Sequence, residues 1–276
     1  MVMENNFISG FYVKITSIKD NSKSYATNFY IAMNELEKWI SRKEIMLLHE
    51  DPQLLIWTHV EAKCRRLYFA GDVDYLKKSI KKCNFNGHLP LAVDIIGKEN
   101  DISKISSIFL QNTFTKRTKL VRLSMNLKKP DNDLACKKED NLIINYLEQN
   151  DIDEVERMFS NYFDFCADQI PDREDIREGI TNSEIIVEPY DKGIKGFVWF
   201  EKKKLTSLIR YWCVDKDFRG SGVGSMLMAK YFSLTSNSPR HLLWVKEENE
   251  NALKRYLHYG YKPDGTEDQV LIWEDK

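Results

Sequence analysis

The stretch Tyr211-Trp-Cys-Val-Asp-Lys-Asp-Phe-Arg-Gly-Ser-Gly-Val-Gly-Ser225 decides how this 276-residue chain reads. Leu208–Val214 has the apolar character of a strand, Asp215–Phe218 is a short charged turn, and Arg219 opens a run holding Gly220, Gly222 and Gly224. An apolar helix over Ser225–Leu234 follows directly. Glycines permit tight backbone conformations and leave amide N–H groups uncovered. At a helix N-terminus such amides form an anion site, assisted by the positive end of the helix dipole. Arg219 adds a permanent charge and a fork of donors that suits phosphate oxygens. The expected ligand is a phosphate, in the first instance a pyrophosphate.

Two familiar phosphate loops do not fit. GxxxxGK[ST] is absent, and GxGxxG would need glycine where Ser225 stands. A dinucleotide-binding sheet would also need several further βα units, and roughly 50 residues remain. A second segment lies downstream, after the strand Leu242–Val245: Asn249-Glu-Asn-Ala-Leu-Lys-Arg-Tyr256-Leu-His-Tyr-Gly260-Tyr261. Asn249 or Asn251 suits a helix N-cap. Leu253, Tyr256, Leu257 and Gly260 share one helical face, and Gly260 suits the left-handed position after the helix, with Pro263 beyond.

Together these segments resemble the GNAT acyltransferase superfamily. Its [RQ]xxGx[GA] motif is filled by Arg219, Gly222 and Gly224, and its NxxAxxxYxxxGF segment by Asn249 to Tyr261, with Tyr261 in place of the usual Phe. The resemblance covers residues from about 142 onward. It implies acetyl-CoA as cofactor and direct transfer of an acetyl group to an amine in a ternary complex. Trp212, Cys213 and Val214 would then lie along the pantetheine arm, on the family's fourth strand, whose amides polarise the thioester oxygen. Arg219, Gly220, Ser221, Gly222, Val223, Gly224 and Ser225 would cradle the pyrophosphate, with Asn249 and Tyr256 completing the site. Tyr256 would be the acid that protonates the departing thiolate, a role suited to a phenol. Helical spacing alone would make the same ring a packing residue. Many family members carry a Glu on the fourth strand; here it reads Leu208-Ile-Arg-Tyr-Trp-Cys-Val214, so the general base is not identified, and Glu247, Glu248 and Glu201 are candidate substitutes that each read first as a solvated surface charge. Cys213 has no His near it in sequence and reads as a buried structural thiol.

The rest of this half runs strand Leu142–Leu147, helix Ile152–Phe163 capped by Asp151, helix Arg173–Ile180, then strands Glu184–Val187, Gly196–Phe200 and Leu208–Val214. After the glycine loop come His241–Val245, Ala252–Tyr259 and Val270–Trp273. The N-terminal half approximates the same order. Phe11–Ile18 alternates like a strand, and Thr27–Arg42 reads as a helix with Tyr30, Met33, Leu36 and Ile40 along it. Strands Ile45–His49, Leu54–Val60 and Arg66–Ala70 follow, then a helix capped by Asp72, a strand Pro90–Ile96, a helix Ile102–Thr113 and a strand Lys119–Met125. The fold class expected is α/β (α+β), a diverged tandem of two GNAT-like domains, each a mixed, mostly antiparallel sheet flanked by helices. The divisions are 1–126, a charged linker at 127–141, and 142–276. In the first copy the glycine loop is replaced by Gly71-Asp72-Val73-Asp74, whose carboxylates would repel a pyrophosphate. This degenerate copy would cover or complete the acceptor cleft. Its Lys77, Lys78, Lys81 and Lys82 read as a solvated face.

Composition narrows the partners. Hydrophobic residues at 42% and charged residues at 30% are those of a soluble globular protein. With 41 basic and 42 acidic residues the net charge is −1, so no nucleic acid and no membrane is expected as a partner. No apolar run nears the roughly 18 residues of a membrane span, and Met1–Gly10 lacks the apolar stretch of a signal peptide. The five cysteines and five histidines show no disulfide framework and no metal-ligand spacing. The expected protein is cytoplasmic, metal-free, a monomer or homodimer, and acts on an amine-bearing acceptor. A non-catalytic coenzyme A-binding regulatory module and a tandem-GNAT aminoacyl transferase are the competing readings.

Overall fold

A computed structural model describes residues 2–61, 63–127 and 142–274, without side chains for 2–9. It divides into two compact units: 1–120 with 165–169 and 266–276, and 121–164 with 170–265.

In the first unit, the segment expected as a strand at Phe11–Ile18 lies inside helix α1, Val2–Asn21. Phe11, Ile15 and Ile18 fall on one helical face and pack into the core, while Val13, which makes the alternation look strand-like, is 67% exposed. The expected helix Thr27–Arg42 is shorter, at α2, Met33–Ser41, because Tyr25–Thr27 is strand β1. Buried Asn28 explains the break. Its side chain donates to Leu67 O and accepts from the Phe69 amide, both at 2.8 Å, which ties this stretch to β4, Arg65–Asp72. Strands β2 (Ile45–Asp51), β3 (Leu54–Val60) and β4 form an antiparallel run, and β5 (Leu91–Gly97) joins β4 in parallel at only Arg65–Leu91 and Arg66–Ala92. Helices α3 (Val73–Ser79) and α4 (Glu99–Leu110) cover one face, over Leu67, Phe69 and Val93; α1 and α2 cover the other, over Trp57 and Tyr68.

The second unit holds β7 (Asn145–Tyr146), α5 (Ile152–Tyr162), α6 (Arg173–Thr181), β8 (Ile185–Tyr190), β9 (Gly193–Lys203), β10 (Thr206–Val214), α7 (Val223–Leu234), β11 (Arg240–Lys246) and α8 (Glu250–His258). Asp151 makes no side-chain cap to α5, which is entered through a 3-10 turn; Asp172 and Asp175 form a reciprocal capping box on α6. One sheet face, with Phe197 and Tyr211, packs on Val155 and Phe159 of α5 and Ile176 of α6; the other, with Phe200 and Leu243, packs on Leu227 of α7 and Tyr256 of α8.

Each half is expected from sequence to end in its own strand. Instead, the strand beside β5 in the first unit is 266–273 of β12, Lys262–Trp273, with Val270 opposite Asp94. The strand beside β11 in the second unit is 121–126 of β6, Thr115–Asn126. Apart from Leu127, the expected linker 127–141 lies outside the described residues. Among the described residues no helix is long and apolar enough to cross a membrane.

The second unit is pinned by a buried polar cluster. Tyr231 of α7 is fully buried and its hydroxyl lies 3.0 Å from Ser207 Oγ and 2.8 Å from His241 Nδ1, with Ser207 and His241 partners across β10 and β11. Burial pushes the His241 pKa down to about 4. Below pH 6.5 an unfolded chain takes up a proton that the native ring refuses, so stability falls between about pH 6.5 and pH 4. The loss approaches about 3 kcal/mol. Thermal melts across this range should show the wild type falling away from His241→Gln; parallel curves would refute the assignment.

Candidate active site

Between Thr206–Ile209 and Arg240–Leu243, β10 and β11 pair in parallel, and beyond Ile209 the ladder stops. From Tyr211 to Val214, β10 keeps its antiparallel partner β9 on one side only. A bulge at Arg210 shifts the register there: Ile209 faces Phe200, yet Tyr211 faces Trp199. Tyr211 and Cys213 consequently enter the α5–α6 core, while Trp212 and Val214 turn to the side of α7 and α8.

The glycine run sits at the end of this splayed strand. Gly220 and Gly222 have φ of +83° and +88°, with no atom within 4 Å of an added Cβ. They supply left-handed turns beside open space, a conformation that glycine adopts without strain. Gly224 serves packing instead. A Cβ there would lie 3.0 Å from the Trp212 ring, so its absence lets α7 approach β10 closely. The α7 ladder begins with Met226 N donating to Gly222 O at 3.0 Å, which places the amides of Val223, Gly224 and Ser225 ahead of the first intrahelical bond. Amides at a helix start in this arrangement are suited to an anion.

The cleft at this point has a volume of ≈ 440 Å³. Its walls include Val214, Arg219, Gly220, Gly222, Gly224 and Ser225, joined by Phe218 and by Lys254, Arg255, His258 and Tyr259 of α8. No carboxylate is among these lining residues. A cationic wall opposite a helix N-terminus suits a polyphosphate group. Lys254, Arg255 and His258 are not among the candidates the sequence motifs single out; their signal is that three basic residues fall within five positions of one short helix.

The remaining site candidates are not among the residues lining the cleft. Asn249 caps α8, its Oδ1 accepting from the Ala252 amide at 3.1 Å. Ser221 Oγ donates to Phe218 O at 2.6 Å, closing the loop on itself, and Val223 is buried in the core. The Cys213 thiol is buried and its pKa is pushed up to about 12, so it stays protonated and is a packing group. Tyr256 is buried with its ring 5.4 Å from Trp212 and 5.9 Å from Tyr261, and it is not among the residues lining the cleft. Burial raises its pKa, which keeps the phenol protonated. Among the candidate bases, Glu201 pairs with Lys203 at 3.0 Å and Arg210 at 3.4 Å, and Glu247 and Glu248 are exposed; none lines the cleft.

The first unit offers a different chemistry at the turn 71–74. Asp72 caps α3, accepting from the amides of Asp74 and Ser24 at 3.0 Å each, so its own carboxylate occupies the helix start. A Cβ on Gly71 would come within 2.5 Å of Leu54, so this glycine serves strand packing.

Residues 181–263 match the profile of the acetyltransferase (GNAT) domain. No curated protein sequence matches the chain. A tandem GNAT protein from the clavulanic acid biosynthesis pathway is similar in structure, with a TM-score of 0.59 at 8% identity over 98% of this chain and 95% of that one. A GCN5-related N-acetyltransferase from Sphaerobacter thermophilus has a TM-score of 0.56 at 11% identity, covering 89% and 86% of the two chains. An acetyltransferase from the GNAT family from Colwellia psychrerythraea has a TM-score of 0.55 at 10% identity, covering 95% and 94%. At these identities the likeness is one of fold.

Proposed function

The chain carries a GNAT acetyltransferase domain over residues 181–263, and on that premise we propose an acetyl-CoA-dependent N-acetyltransferase acting on an amine-bearing acceptor. The observation that carries the reading is the cleft itself. Two left-handed glycines, a helix start and four basic side chains meet there without a lining carboxylate. The residues fit coenzyme A: Arg219, Gly220, Gly222, Gly224 and Ser225 would hold the pyrophosphate, and Lys254 and Arg255 would add positive charge beside it. The β10 edge from Trp212 to Val214, unpaired toward β11, offers backbone groups to the pantetheine arm.

Bound acetyl-CoA supplies a thioester carbonyl open to attack by an amine. The protein's own contribution is to orient and to manage protons. Strand amides of β10 would be the donors for the carbonyl oxygen. Tyr256 holds a proton at its hydroxyl oxygen that can pass to a thiolate, and burial keeps that proton in place at neutral pH.

Titration calorimetry tests the reading directly, with one acetyl-CoA expected per chain. A stoichiometry of two would overturn the assignment of Asp72 as the group that fills the first unit's helix start. Acetyl transfer to a panel of amines should then be measurable above the uncatalysed rate. Tight binding with no transfer to any of them would favour the non-catalytic coenzyme A module.

A further inference from the structure

Arg219 is an exposed arginine on a loop, and such a side chain has many rotamers to lose when a ligand binds. Here one orientation is fixed in advance by α5. The guanidinium lies over the Tyr162 ring, Cζ 4.8 Å from its centroid, and Nε donates to Val214 O at 3.1 Å. That pairing uses Nε and leaves the two Nη groups for a ligand in the cleft that Arg219 lines.

The same tyrosine grips the turn that leads into the glycine run. Its hydroxyl accepts from the Lys216 amide at 3.1 Å and also hydrogen-bonds the Asp215 carboxylate. Buried Asp215 accepts from the Asp217 amide at 3.2 Å and from Arg157 Nη2 at 2.6 Å, while Arg157 is itself held by Glu154. Burial alone would raise the Asp215 pKa, but Arg157 and the Asp217 amide hold it below the ordinary carboxylate range. A charged, well-partnered Asp215 is a firm anchor for the start of the turn. Two α5 side chains one turn and a residue apart, Arg157 and Tyr162, thereby fix the turn at Asp215, Lys216 and Arg219.

We propose that Tyr162 is a positioning residue for the cofactor. It acts through Arg219, stacking under the guanidinium so that both Nη groups face the pyrophosphate before binding. The inference rests on the acetyl-CoA reading above and adds a residue from outside both sequence motifs. A preorganised arginine contributes to affinity by sparing the cost of ordering it. Stacking of a cation on an aromatic face supplies the restraint, and a phenylalanine ring would supply most of it.

Calorimetry with acetyl-CoA on four variants tests this. Tyr162→Leu removes the ring and should weaken binding about two- to fivefold in a protein that still folds. Tyr162→Phe keeps the ring, loses only the hydroxyl contacts, and should recover most of that loss. In an Arg219→Ala background Tyr162→Leu should cost almost nothing more, because the group it positions is gone. Undiminished affinity in Tyr162→Leu, or an equal loss with and without Arg219, would overturn the proposal while leaving the cofactor assignment intact. Wild-type affinity in Arg219→Ala itself would instead bring down the cofactor assignment, and this inference with it.

Discussion

Gly222→Asp is expected to lower acetyl-CoA affinity by about three orders of magnitude in a protein that still folds. Two effects combine. The residue sits at φ +88°, a left-handed conformation that aspartate visits more readily than most side chains, and an added Cβ meets no atom within 4 Å. The fold therefore loses at most about 1–2 kcal/mol. The carboxylate, however, would stand at the mouth of the helix start, beside the place assigned to the pyrophosphate. A pair of like charges about 4 Å apart at an effective dielectric near 20 repels by about 4 kcal/mol, which is roughly 10³ in affinity. Gly222→Asn separates strain from charge, because it has nearly the same shape and no charge; its affinity should stay much closer to wild type. Calorimetry checks both. Unchanged affinity in a folded Gly222→Asp protein would sink the cleft assignment.

Tyr256→Phe carries the second large effect, this time on turnover. The ring packs between Trp212 and Tyr261, so phenylalanine preserves the contacts and the melting temperature should hardly move. Affinity for acetyl-CoA should also persist. What disappears is the hydroxyl proton, and kcat should fall by roughly 10²–10⁴ where proton transfer limits the rate. Burial raises the Tyr256 pKa, so the wild-type acid stays protonated through the neutral range and its loss produces no alkaline limb there. If the ring is only packing, Tyr256→Phe turns over like wild type, and Tyr256→Ala costs about 3–5 kcal/mol of stability, as for any buried aromatic. Steady-state rates beside thermal melts separate the two cases. The cleft assignment is independent of the outcome, since it depends on other residues.

How legible each feature is depends on how far apart its physical causes lie along the chain. The hexapeptide at 219–224 is readable because its constraints are local: Gly220 and Gly222 are needed for positive φ, and the following apolar residues announce a helix. The cap at Asn249 is local too, spanning three residues to the Ala252 amide. Asp72 reads as a cap and is one, and the same carboxylate fills the helix start that a ligand would need. By contrast, Phe11–Ile18 allows both periods, since its apolar residues fit an alternating strand and one face of a helix, and only packing under α1 chooses between them. The basic wall of α8 escapes a reading of the sequence because exposed Lys254, Arg255 and His258 look like ordinary solvated residues until the helix is placed against the glycine loop.

The sequence by itself determined the glycine loop, the two helices that flank the cleft, and the strands β2 to β5 and β8 to β11, because these follow from backbone conformations and periodicities within a few residues. Only the tertiary structure decided which faces those elements present. The bulge at Arg210 reverses the alternation of β10, so counting by twos from Ile209 would place Tyr211 on the wrong side of the sheet. Strand 266–273 completes the sheet of the unit that contains β5, although it lies at the opposite end of the chain. Tyr162 meets Lys216 across 54 positions of sequence. Such pairings are selected by the burial of whole sheet faces and by the hydrogen bonds that buried backbone must find, and those energies exist only once distant segments have come together.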